Sequence, residues 1–305
     1  MESKWPPASQ AEAGALTRPR FLLQQVHLLY RSRFWTWFAI MMPTTLLADV
    51  VLLWADRQAK AIFKAVPFFE ISRHWDNVVE ATALRFGSFF AAWFLGCFAL
   101  ASIASVVNGL EEESEGAAWI PDRHQQAREH LGAIFVVALI TFCLFLAGIA
   151  LSEFVQTAAV RLVGWRRFSR FSFAVGVIAV VTVAGLVSWL GTSIPLLLRG
   201  NTRLWAALKR SVELSSGYEG ALLLLVMESV AGTVVAGYGT FYALHALVPS
   251  QLRYTPWYGW VVNLVAILAS AAVEPPLFIG LSLLADPGAL SAPTLPRPQH
   301  PAQGH

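Results

Sequence analysis

Charge is what this sequence has least of. Asp, Glu, Lys and Arg make up only 13% of its 305 residues, about half the roughly 25% of an ordinary soluble domain. That scarcity excludes a disordered acidic or basic chain and a water-soluble enzyme with a fully charged surface. Cysteine is almost absent: two residues, Cys97 and Cys143, both inside apolar runs. This excludes a disulfide-stapled secreted domain, and the two thiols are expected to act as small packing groups. Catalytic motifs are missing as well. There is no His-Glu-x-x-His, no Gly-x-Ser-x-Gly, no Cys-x-x-Cys and no Gly-rich phosphate loop ending in Lys, so hydrolytic, redox and nucleotide chemistry lack their usual residues. Asp122, His124, Glu129 and His130 form the nearest cluster of acids and histidines. His124 and His130 are six apart, which puts them on different helix faces rather than on one metal. No cofactor or metal is expected. Basic residues are scattered among apolar stretches with no contiguous patch, so nucleic acid is not an expected partner.

What is abundant is apolar length. Hydrophobic residues reach 56% and mean hydropathy is +0.56. A bilayer core about 30 Å thick takes roughly 20 apolar residues in a helix, and six stretches are long enough: 34–54, 86–107, 131–151, 171–198, 221–247 and 257–284. Runs such as Phe135–Ile140 do not alternate, which argues against a β-barrel, and backbone groups in lipid must then be satisfied inside helices. The expected fold class is all-α, a polytopic integral membrane protein with six transmembrane helices. Residues 1–20 and 287–305, rich in Pro, Ala and Gln, are expected to be a disordered N-terminus and a flexible tail. No cleavable signal is expected, since about thirty residues, many of them polar, precede the first apolar run.

Twelve Lys and Arg fall on the N-terminal side of such a topology and ten on the other. Orientation therefore rests on Arg31 and Arg33, which abut the first span and place both termini in the cytoplasm. Each odd-numbered span follows a short amphipathic segment: 21–33, 121–130 and 203–214. Leu204, Trp205, Leu208 and Val212 group on one side of the last of these. Such helices lie in the headgroup plane with basic residues toward anionic lipid, so Arg31, Arg33, Arg203, Trp205, Lys209 and Arg210 are expected membrane-surface contacts. The pattern is three repeats of interfacial helix plus transmembrane hairpin. The loop 55–85, with Lys60, Phe63 and Lys64, is expected to hold a further interfacial segment. The acidic run 111–115 is expected to be a solvated turn.

The stretch Ile194-Pro-Leu-Leu-Leu-Arg-Gly200, followed by Ala207-Leu-Lys-Arg-Ser211 and Leu214-Ser-Ser-Gly217, resembles a bacterial family of multi-span proteins similar to the membrane domain of glycerophosphoryl diester phosphodiesterases. Arg199 stands where that family usually carries Glu, and only Leu284-Ala-Asp286 remains of its closing Tyr-Tyr-Asp-x-Arg run. The resemblance implies a six-helix module of the bacterial inner membrane and implies no catalysis by it.

Acids inside the spans are costly in lipid and are the candidates for function. Glu228 and Glu274 sit at similar depths in antiparallel fifth and sixth spans and are expected to face each other and share a proton. Pro275-Pro276 should break the sixth helix and free carbonyls beside Glu274. Asn263 and His245 are expected to add interhelical hydrogen bonds. Gly232, on the face of Glu228, should admit a neighbouring helix. Asp49 is expected to reach the headgroups from near its span's end. The leading expectation is a non-enzymatic membrane protein that organises lipid or a partner, either another membrane protein or a second copy of the chain. The alternative is a transporter or lipid-handling protein using Glu228 and Glu274.

Overall fold

The computed structural model describes residues 19–64, 75–109, 125, 127–163, 185–186, 189–199, 203–253 and 255–285. Among these, no strand occurs and ten helices follow in order: α1 (Pro19–Ser32), α2 (Phe34–Lys64), α3 (Trp75–Asn108), α4 (Leu131–Val163), α5 (Ser193–Arg199), α6 (Leu204–Ser215), α7 (Glu219–Leu247), α8 (Ser250–Arg253), α9 (Pro256–Val273) and α10 (Pro275–Ala285). Five stretches are long and apolar enough to cross a membrane: Phe34–Lys64, Trp75–Asn108, Leu131–Leu151, Glu219–Leu247 and Trp257–Ala285. Most of the expected fourth span, 171–198, lies outside the described residues, and so do the termini 1–18 and 286–305, the acidic run 111–115, and Asp122 and His124.

Pro19 opens α1, where its missing N–H costs nothing. The corner into α2 is a single residue, Arg33. It is fixed by Trp37, wholly buried, whose indole N–H donates to Leu29 O at 3.0 Å. The apolar stripe of α1 (Leu22, Val26, Leu29) is buried against α7 and α10. This helix therefore spends its apolar face on protein, where a headgroup-plane helix would give it to lipid.

The first hairpin corrects the expected loop 55–85. Its helices continue on both sides, α2 to Lys64 and α3 from Trp75. At the helical rise, the 31 residues of α2 are about 46 Å long and the 34 of α3 about 51 Å, well beyond an apolar core of about 30 Å. Wholly buried Ala55, Ala59 and Ala81 let the two backbones approach. Asp56 accepts from Lys60 one turn on, at 2.5 Å, and from Arg85 across the hairpin, at 3.3 Å. Sequence hydropathy drops there while helix-forming residues continue, so a span boundary is not a helix boundary. Aromatic pairs join α3 to α4: Phe90–Phe135 edge-on at 5.4 Å, Trp93–Phe145 stacked at 5.2 Å, and Trp93 Nε1–H donating to Thr141 Oγ1 at 3.0 Å.

Gly217 has φ +92°, a backbone state that favours glycine. With it the chain turns from α6 into α7, and the Gly217 N–H donates to Glu219 Oε2 at 2.8 Å. Arg199 donates to Ala285 O at 3.2 Å, a cation on the final carbonyl of α10. Of the apolar group expected to face lipid on α6, Trp205 and Val212 are exposed and Leu208 packs on the protein. Ala207, Ser211 and Ser215 are inside with Leu208, while Trp205 is 78% exposed. Small residues, not the largest apolar ones, seat this helix on its neighbours.

Candidate functional site: a polar cavity at a broken helix

The sixth predicted span is interrupted at Glu274. Its N–H still bonds Ser270 O at 3.1 Å, but Pro275 and Pro276 carry no N–H. The carbonyls four residues earlier, Ala271 O and Ala272 O, lose their helical donors. One receives a substitute from far away in sequence: Tyr30 of α1 donates its hydroxyl to Ala272 O. Burial, and then the charge of Glu228, push the Tyr30 hydroxyl above the usual phenol range.

Beside the break lies a cavity of about 250 Å³. α2 contributes Thr44, Thr45 and Asp49, α7 contributes Thr233, and the broken span contributes Ser270 and Glu274. Small residues of α3, Ala92, Gly96 and Ala99, repeat along one helix face and leave the room. α2 also carries a proline near the cavity. Pro43 interrupts its hydrogen-bond ladder, and the Thr44 hydroxyl turns back to Met41 O at 2.8 Å. Both acid-bearing helices of the bundle wall are thus interrupted by proline. Among the described residues no Lys, Arg or His lines the cavity.

Asp49 is the functional candidate that sequence reasoning placed elsewhere. Asp49 lies five residues before the apolar run ends at Trp54, in a helix that continues ten residues further, and it lines the cavity. Leu47, Val50 and Trp54 form the exposed face, and Asp49 turns the other way, to the cavity. The helical spacing of Thr44, Thr45, Ala48 and Asp49 against Leu47, Val50 and Trp54 was the available signal.

Glu228 does not join Glu274 in the cavity. Its carboxylate, 46% exposed, lies 3.5 Å from Nε2 of His27 on α1. The acidic neighbour of Glu274 is Asp49. Gly232 does face a helix, since a Cβ there would lie 2.0 Å from Val273 Cγ1. Asn263 is exposed and outside the cavity. His245 pairs with Arg253 Nη1 at 3.0 Å at the end of α7. Of the surface candidates, Arg31, Arg203, Lys209 and Arg210 are exposed, Arg33 is half-buried, and Arg210 pairs with Glu213 at 3.3 Å. Among the described residues no three His, Cys, Asp or Glu gather as a metal site would require.

A second cavity, about 410 Å³ and almost wholly apolar, adjoins the first. The two share Ala92, Gly96 and Phe278 as a common wall. Neither a family model, nor a curated protein, nor a solved structure matches the chain.

Proposed function

We propose that this chain is a six-span protein of a bacterial inner membrane, with both termini cytoplasmic, that binds a cationic solute or lipid component between its helices as a transporter or lipid-handling protein. The observation that carries this reading is a cavity holding Asp49 and Glu274, with no cation among the described residues of its lining. Carboxylates in a low-dielectric site require a counter-charge or a proton, and a helix interrupted beside them is the construction membrane proteins use to coordinate cations. The chemistry of this reading is binding: two carboxyl groups among threonine and serine hydroxyls suit a cation. The threefold repeat and the likeness to the phosphodiesterase membrane domain belong to the same reading. They are supported by a short amphipathic helix that twice precedes a pair of long ones (α1 before α2 and α3, α6 before α7 and α9–α10).

The test is carbodiimide labelling in lipid nanodiscs. Dicyclohexylcarbodiimide, an apolar carboxyl reagent, should modify Asp49 or Glu274, and excess tetramethylammonium should suppress that adduct. Modification that tetramethylammonium leaves unchanged refutes cation binding. A structural or partner-organising module is the second reading, favoured by the α2–α3 hairpin, whose Asp56, Lys60 and Arg85 lie beyond the apolar span lengths. There, Gln at 228 and 274 together would leave both folding and cellular function intact.

A further inference from the structure

We infer that the ligand is a cationic amphiphile, its ammonium head between Asp49 and Glu274 and its alkyl tail in the adjoining apolar cavity. The inference rests on the cation-binding reading above and adds the chemical class of the ligand. Three features of the paired cavities carry it. The first is their contrast in lining: one holds two carboxyl groups with threonine and serine hydroxyls, and the other is built from aromatic and aliphatic side chains such as Phe89, Trp93 and Leu281. The second is their junction. At Gly96 no atom of the described residues outside its own helix lies within 4 Å of where a Cβ would be, which leaves this part of the shared wall open among them. The third is the size of the apolar part, about 410 Å³, which falls within the roughly 300–1,000 Å³ of small-molecule sites. A small hydrated ion would use only the polar part. A neutral lipid would leave two carboxyl groups facing apolar carbon, and a fatty acid would add a third acid to them. A single-chain ammonium amphiphile satisfies both parts together. Phe278 lines both parts, and quaternary ammonium groups favour aromatic rings.

The experiment uses the full chain in phosphatidylcholine nanodiscs and an alkyltrimethylammonium probe carrying a diazirine at its tail end. Irradiation should place the adduct on peptides containing Trp93, Cys97 or Leu281, and excess tetramethylammonium should reduce it. Glu274→Gln and Asp49→Asn should each lower the adduct yield about tenfold at limiting probe, the loss expected for one charge-assisted contact. Val137→Phe, which narrows the apolar cavity at a residue outside the polar one, should lower the tail adduct and leave tetramethylammonium protection of the carboxyl groups unchanged. Two outcomes overturn the inference. One is labelling spread over the exposed stripe of Leu47, Val50 and Trp54 and insensitive to tetramethylammonium. The other is equal labelling of the apolar cavity by a diazirine fatty acid. If tetramethylammonium still protects the carboxyl groups while the tail labels diffusely, only the amphiphile falls. If it does not protect them, the cation site itself falls.

Discussion

Glycine-to-alanine exchange gives this bundle an internal ruler, because the same chemical change meets three different surroundings. In α7, Gly237 and Gly239 have open space where a Cβ would go. Alanine there removes the backbone freedom of glycine and meets nothing, so each exchange should stabilise by about 0.5–1 kcal/mol. At Gly232 the new carbon would lie 2.0 Å from Val273 Cγ1. A β-branched side chain in a helix has one favoured rotamer, so Val273 cannot swing aside freely and α7 and α9 must part. Overpacking of this kind costs about 1–3 kcal/mol. Offset by the propensity gain, the net loss should be about 1 kcal/mol. Gly280 is intermediate: its Cβ would meet Leu225 Cδ1 at 2.5 Å, the far end of a flexible side chain, and the change should be close to neutral. Equilibrium unfolding in mixed micelles measures all four. The double variant Gly232→Ala, Val273→Ala should recover part of the loss, a coupling expected only for residues in contact. If Gly232→Ala stabilises as much as Gly237→Ala, the close approach of the fifth and sixth predicted spans is wrong, and with it the wall of the cavity.

Two further outcomes follow from particular contacts. Tyr30→Phe should destabilise by about 1–3 kcal/mol in the same unfolding measurement, the cost of leaving a buried carbonyl without a donor; an effect under a few tenths would mean that Ala272 O has another partner. Nitroxide labels on α6 should separate Trp205, 78% exposed, from Leu208, 7% exposed. Lipid-borne quenchers should reach position 205 and not position 208, and equal quenching would restore the face expected from apolarity alone.

Helix content and span-capable length were legible in the sequence because both depend on local chemistry. A run such as Leu131–Leu151 can satisfy its backbone in lipid only as a helix. The break at Pro275-Pro276 was legible for the same reason. Two things were not. In a soluble helix, an apolar stripe marks the buried face; in α2 the apolar stripe of Leu47, Val50 and Trp54 is the exposed one. The inward face carries threonine, alanine and Asp49, so the familiar rule points the acid the wrong way. The partner of Glu228 was illegible because it comes from tertiary folding. α1 brings His27 against α7 across about two hundred residues of chain, and no periodicity within either segment encodes that docking. The extension of α2 to Lys64 was hidden by a change of solvent rather than of structure. Asp56 and Lys60 end the apolar run and, four residues apart, support the helix that continues through them.

The most direct measurement is an experimental density map of the full chain in lipid nanodiscs, prepared with an alkyltrimethylammonium salt and resolved well enough to place carboxyl groups. The expected result is a helix broken at Glu274, Asp49 and Glu274 on opposite sides of one chamber, and ligand density between them that continues past Gly96 toward Trp93. A sixth span running unbroken through residue 274, or Asp49 and Glu274 hydrogen-bonded to each other with no space between them, would contradict it.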